Sequence, residues 1–332
     1  MPARGSAANR RPDAPLVALA PALDDLDRAV IGRLREDGRA SNRSLADALG
    51  VNEATIGSRL RRLEDEHIVR VVAVTDMEAL GHEFLAIGKV RVAGRPVREV
   101  GAALAEMPEN IAVVLTMGQY DIFLSILARD RQHLSELITD QLPSVKGVDT
   151  LRCELALDVL LFKTEWGVLG TEDRPTEPRG PSDAVDELDL QIIDLLQLDA
   201  RSSNRRIAAE LGVSEGTVRA RIRRMEDEKV IRIAGIAHPA AFGMGVSAYV
   251  GFDVEGGKLK KVAQRVLDHE AVSMVMTSLG DYDLLAVVVA PSREALVDFV
   301  LDELGSIPGV RRTETTEGLG VLKHSYTWTR LV

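Results

Sequence analysis

Apolar residues fall at helical spacing behind an acidic cap twice along this chain. Leu26, Val30, Ile31 and Leu34 follow Asp24, and Leu188, Ile192, Ile193 and Leu196 follow Asp186. Ser41 can cap a short helix that Gly50 ends, as Gly212 ends its counterpart. Asn52 or Ser214 then caps a third helix, and the β-branched runs Ile68 to Val74 and Val230 to Ile236 predict a strand after each. Residues 23–166 and 185–328 align without a gap at a constant offset, so the chain is two copies of one folded unit. A chain so built is a covalent pseudo-dimer.

Each copy continues with a different texture. Phe84 to Val92 reads as a strand, Val97 to Met107 as a helix, Ile111 to Met117 and Ile122 to Ala128 as paired strands, Arg131 to Leu142 as a helix, and Leu151 to Phe162 as extended chain. This β-α-β-β-α-β order is the ferredoxin-like plan, whose sheet carries helices on one face and needs cover on the other. The second copy can supply that cover. The expected class is therefore α+β: tandem copies of a helix-turn-helix domain followed by a ferredoxin-like sandwich domain. The expected boundaries are a disordered tail at 1–22, small domains at 23–74 and 185–236, larger domains at 75–166 and 237–332, and a proline-bearing linker at 167–184. That linker would span up to about 60 Å without dictating geometry.

Composition narrows the function classes. A net charge of −10 argues against coating nucleic acid through bulk positive charge. The charge is uneven, however: seven arginines lie between Arg201 and Arg224 against Glu210 and Glu215, and five lie between Arg39 and Arg62. The lone cysteine, Cys153, cannot form an internal disulfide, and no apolar run approaches the roughly 18 to 20 residues of a membrane span. Prolines 12, 15 and 21 break the short apolar segment that follows Arg10 and Arg11, so an export signal is not expected. The expected compartment is the cytoplasm.

The second and third helices carry the chemistry. Small residues at Ala46 and Gly50, flanked by Leu45, Leu49 and Val51, describe two helices meeting at a tight turn, and Ala208 with Gly212 repeat it. On the third helix Ile56, Leu60 and Leu63 share a face that must be buried, as Val218, Ile222 and Met225 do. The opposite face carries Thr55, Ser58, Arg61 and Arg62, or Thr217, Ala220, Arg223 and Arg224, as a helix entering a major groove would. An arginine-bearing face is most often merely solvated. Here it recurs in phase, and the acidic residues that would neutralise it are expected elsewhere, in the first helix and at Glu64 to Glu66. The expected DNA-contacting set is Arg43, Asn52, Thr55, Ser58, Arg61 and Arg62, with Arg205, Ser214, Thr217, Arg219, Arg223 and Arg224. For Arg59 and Arg221 an internal salt bridge and a phosphate contact remain equally open.

Between the central strands of each larger domain sits Gly118-Gln119-Tyr120-Asp121, returning as Gly280-Asp281-Tyr282-Asp283. A tight hairpin explains the glycine and final aspartate. A tyrosine and a carboxylate at a loop also suit the ammonium of an amino acid, and Gln119 against Asp281 suggests two inequivalent sites.

The succession Leu-Asp, Asp-x-Arg, Ser-Asn, Leu-Ala, Leu-Gly-Val, Arg-Leu-Arg-Arg-Leu-Glu and Gly-x-Tyr-Asp resembles the Lrp/AsnC family over nearly the whole chain. The resemblance implies a winged helix-turn-helix joined to a ligand-sensing (RAM-type) domain, double-stranded DNA and amino-acid effectors as partners, and homo-oligomers. It implies that the loops at 118–121 and 280–283 lie at the effector site. The duplication departs from the usual single copy, and Gly57 costs about 1 kcal/mol relative to alanine in a helix. A related group with the same plan resembles decarboxylases of tetrapyrrole precursors. That enzyme reading is poorly supported, since none of the six histidines recurs between copies. Neither a catalytic residue, a metal site nor a cofactor is expected. A sensor whose helix-turn-helix has become a protein-interaction surface is the third reading.

Overall fold

The computed structural model describes residues 23–163, 182, 184–325 and 327–329. The expected tail and nearly all of the linker lie outside these residues. In each copy the small domain forms as its caps dictate. Helix α1 (Asp25–Glu36) begins at Asp24, whose carboxylate accepts from the Asp27 N–H at 2.8 Å. Helix α2 (Asn42–Leu49) is capped by Ser41 and ends at Gly50, where φ is 68°. Helix α3 (Glu53–Asp65) is capped by Asn52 and buries Ile56, Leu60 and Leu63. Strand β1 (Val69–Asp76) follows.

The larger domain of the first copy comprises β2 (Phe84–Val92), α4 (Val97–Ala105), β3 (Asn110–Met117), β4 (Ile122–Ala128), α5 (Arg131–Glu136), the single turn α6 (Leu142–Ser144) and β5 (Val148–Phe162). The helix expected over 131–142 is broken by a wider π turn at Leu137–Gln141, which recurs at Phe299–Leu304. Pro143 or Gly305 follows, residues that do not prolong a helix. The second copy supplies α7 (Glu187–Leu198), α8 (Asn204–Leu211), α9 (Glu215–Asp227), β6 (Ile231–Ala237), β7 (Val246–Val254), α10 (Leu259–Leu267), β8 (Val272–Leu279), β9 (Leu284–Ala290), α11 (Arg293–Asp298), β10 (Val310–His324) and β11 (Trp328–Thr329).

The second copy does cover the first, but the two sheets also join edge to edge into one closed barrel, in the order β10-β3-β4-β2-β5-β8-β9-β7. The seams are made by the two long strands. Val148 to Leu155 of β5 pair with β2, and Leu155 to Phe162 pair with β8 of the other copy. In the same way β10 passes from β7 to β3. Helices α4 and α10 pack outside, and Val100 and Leu104 or Val262 and Val266 fill the layer beneath them. Inside, rings from both copies meet, Phe123 against Tyr249 at 4.5 Å. A cavity of about 130 Å³ lies between the sheets, bounded by Trp328 and by the segment that links β6 to β7.

The linker reading leaves the relation of the small domains open, and a direct contact settles it: β1 and β6 pair antiparallel over seven residue pairs, from Val69 with Ala237 to Thr75 with Ile231. Arg39 donates to the Ser202 carbonyl at 2.7 Å and Arg201 to the Ala40 carbonyl at 3.0 Å. Backbone pairing, which a linker cannot override, welds the two into one platform. Strand β11 joins it by pairing parallel to β1.

Candidate nucleic-acid interface and effector loops

The arginines on the outer faces of α3 and α9 sort into those clamped to the first helix of their copy and those left facing outward. Asp27, 1 % exposed, points from α1 at α3 and accepts from Arg59 at 2.8 Å and Arg62 at 2.6 Å. Asp189 does the same for Arg221 and Arg224, at 2.8 and 2.6 Å. Acidic residues of the first helix were expected to lie away from the arginine face. They do not: helix packing brings a buried carboxylate against it, so Arg62 and Arg224 are held back toward α1 and α7, and Arg59 and Arg221 take the salt-bridge alternative. Arg221, with the Asp189 N–H, pulls the Asp186 carboxyl down to about 2. The Asp27 N–H and Arg59 lower Asp24 likewise.

The other expected DNA contacts are outward-facing or at the helix starts. Arg43, Arg61, Arg205 and Arg223 are exposed, Arg223 by 82 % with Asp227 at 3.8 Å. Arg219 is exposed and bonded along its own helix to Glu215. Asn52 and Ser214 are spent as caps on the N–H groups of Thr55 and Thr217, whose hydroxyls lie 2.9 and 2.8 Å from the same side chains. The Ser58 hydroxyl donates to the Thr55 carbonyl. Gly57 has no steric cause, since an added Cβ would meet nothing nearer than the Asn42 amide at 3.4 Å.

The loops at 118–121 and 280–283 are true hairpins. The Asp121 carboxylate accepts from the Val92 N–H at 2.8 Å, and Asp283 from Val254 at 2.7 Å, so both aspartates tie the loop to the neighbouring strand. Tyr120 and Tyr282 are buried, while Gly118, Gln119, Gly280 and Asp281 are exposed.

Beyond that frame the loops part company. The Lys89 side chain, wholly buried, bonds to Glu154 and, at 2.7 Å, to Asp281 of the other copy, with its ammonium 4.6 Å from the Tyr282 ring centre and 5.4 Å from that of Tyr120. Glu154 also accepts from the Asp281 and Tyr282 N–H groups at 3.0 and 3.3 Å. Burial alone would lower the lysine pKa, but the hydrogen bonds to Asp281 and Glu154 outweigh it and raise it. At the second loop the ammonium held between a carboxylate and a tyrosine ring is thus that of the protein's own Lys89. Around the first loop, Gln119, Gly251 and Thr316 stand where the second has Asp281, Lys89 and Glu154. Arg91 donates to the Gln119 carbonyl at 3.0 Å and lies 5.5 Å from the Tyr120 ring centre. Lys89 and Glu154 were missed in the sequence, although a lysine and a glutamate facing glycine and threonine in the other copy were the available signal. Cys153 is unpaired, and burial lifts its thiol to about 11, away from reactivity.

Among the described residues no group of His, Cys, Asp and Glu could hold a metal, and no helix is long and apolar enough to cross a membrane. The AsnC-type helix-turn-helix domain matches residues 23–64 and 185–226, and the Lrp/AsnC ligand binding domain matches 85–165 and 247–328. An HTH-type transcriptional regulator of Pyrococcus furiosus is 36% identical over 143 residues, 97% of its length and 43% of this chain. The HTH-type transcriptional regulator FL11 of Pyrococcus abyssi is 35% identical over 133 residues, 87% of its length and 40% of this chain. Among solved structures, the siroheme decarboxylase NirDL superposes with a TM-score of 0.64 over 90% of this chain and 93% of its own, at 14% identity, a likeness of fold alone. With both domain types matched twice, and relatives matched nearly whole by less than half of its length, this chain belongs to the Lrp/AsnC family of transcriptional regulators as a tandem duplicate.

Proposed function

We propose that the chain reads double-stranded DNA in a sequence-specific way, as a regulator responsive to an amino acid, with one chain doing the work of a dimer. The observation that carries this is the welded platform, which presents two helix-turn-helix units of matching construction in one fixed relation. Arg61, Arg223, Arg43, Arg205 and Arg219 are its best-placed contacts, Thr55, Ser58 and Thr217 approach the groove, and Arg62 and Arg224 act chiefly by orienting the helices. Because the platform fixes the spacing of the heads, an effector acts through the assembly of chains rather than by moving one head against the other. Two features support such assembly: exposed Met117 and Leu279 beside the loops, and exposed Leu157 and Leu319 at equivalent bulges of the long strands. The loop at Gly118 to Asp121, with Arg91 beside it for a carboxylate, is the better effector candidate, because the cage at Gly280 to Asp283 is filled by Lys89.

An enzymatic reading draws on the likeness to NirDL. The cavity between the sheets, about 130 Å³, suits a benzene-sized molecule and is too small for a tetrapyrrole, so it lends that reading no support. The deciding experiment is an anisotropy titration against DNA from upstream of the protein's own gene, with scrambled competitor and varied salt. The expected result is a specificity ratio above about 10³ and a steep negative salt slope. Weak binding that ignores sequence, with or without pooled amino acids, would overturn the proposal.

A further inference from the structure

The cavity between the sheets is built unlike the rest of the core. It straddles the boundary between copies, and its wall is uneven. Where the first copy has Phe84, Leu85 and Leu127, the second places Val246, Ser247 and Val289 on the lining, so the space opens on one side only. Apolar groups dominate that lining, with Met274, Val287 and Tyr249 prominent.

The polar groups there are mostly committed. The Ser273 hydroxyl donates to the Val287 carbonyl at 3.1 Å, and Ser325 lies 3.0 Å from the Thr327 hydroxyl. His324, the last residue of β10, is different. Its Nδ1 is buried and has no hydrogen-bond partner among the described residues. Burial, with His238 nearby, brings the imidazole down to about 4, so it is neutral at physiological pH and offers one acceptor nitrogen. In the first copy the equivalent residue is Phe162, which needs no partner.

A dry cavity of ~150 Å³ lined by aliphatic and aromatic groups admits benzene, so about 130 Å³ accommodates one six-membered ring. A buried polar atom ordinarily finds a partner. We infer that this cavity is a binding site for a small aromatic alcohol, its ring between Met274, Val287 and Tyr249 and its hydroxyl donating to His324 Nδ1. The site is separate from both hairpin loops and does not depend on their role.

The test uses the full chain with methionine methyl groups labelled with carbon-13, titrated with phenol and, separately, with toluene. Met244 and Met274 line the cavity, and Met225 of α9 serves as a distant control. Phenol should shift the Met244 and Met274 signals saturably at millimolar concentration and leave Met225 unmoved, with toluene about tenfold weaker for want of the hydrogen bond. Ser247→Leu, which installs the first copy's residue, should abolish the shift. If that variant does not fold, the smaller change Val289→Leu makes the same test and should weaken phenol at least tenfold. His324→Phe should remove the preference for phenol over toluene. Shifts that stay linear to the solubility limit, as in a cavity holding water only, would overturn the assignment. So would saturation that the filling variants leave unchanged, or equal affinity for the two probes in the unaltered protein.

Discussion

The DNA-reading halves of the two copies are near replicas, whereas the sensing halves have drifted apart. Asp27, Arg59 and Arg62 repeat as Asp189, Arg221 and Arg224 with contact distances equal within 0.1 Å. Lys89, Glu154 and Asp281 have no such echo, for their counterparts are Gly251, Thr316 and Gln119. On the proposed function, a clamp that aims a helix tolerates little change, because both helices must meet one DNA in matching poses. On the same reading the hairpin loops have no such partner to match, and the second is closed from within by Lys89.

The largest effect is expected where the copies differ most. Lys89→Met leaves Glu154 as a buried carboxylate without a counter-charge and should cost about 3–5 kcal/mol of stability in urea denaturation. Adding Glu154→Gln, which keeps an acceptor for the Asp281 and Tyr282 N–H groups, should restore most of it. A double variant no more stable than the single would mean that the cage is not held together by charge.

Next come the replicated clamps. Asp27→Ala and Asp189→Ala each lose charged hydrogen bonds to two arginines and should cost about 2–3 kcal/mol. Calorimetry giving losses more than about 1 kcal/mol apart would break the equivalence of the readers. Arg61→Ala and Arg223→Ala should each weaken DNA binding about tenfold and lower the salt slope by about 1, leaving melting unchanged. Unaltered affinity in both would remove the recognition-helix assignment. The smallest effect tests the one visible blemish in the first reader: Gly57→Ala should stabilise by up to about 1 kcal/mol, read as a rise in melting temperature, since nothing stands in the way of a Cβ.

Much of the fold could be read in the sequence because its signals are local. The caps at Asp24, Ser41 and Asn52, the glycine stop at Gly50 and the strand order of the sensing domain depend on residues close together in the chain. What escaped depends on distant meetings. Asp27 reaches Arg62 across 35 positions, and Lys89 reaches Asp281 across 192, from a neighbouring copy. The pairing of β1 with β6 escaped for the same reason, since an exposed-looking strand edge carries no mark of the partner that will cover it.

The pairing of β5 with β8 and of β10 with β3 has a consequence for how the molecule comes into being. Each half offers edges that only another half can complete, and any chain in the vicinity carries both kinds. During refolding, closure within a chain therefore competes with exchange between chains, and only the tether favours the former. Dilution steers the product toward closed single chains, and crowding toward interlinked ones. Duplication thus turned a meeting of two molecules into a race that one molecule can win alone.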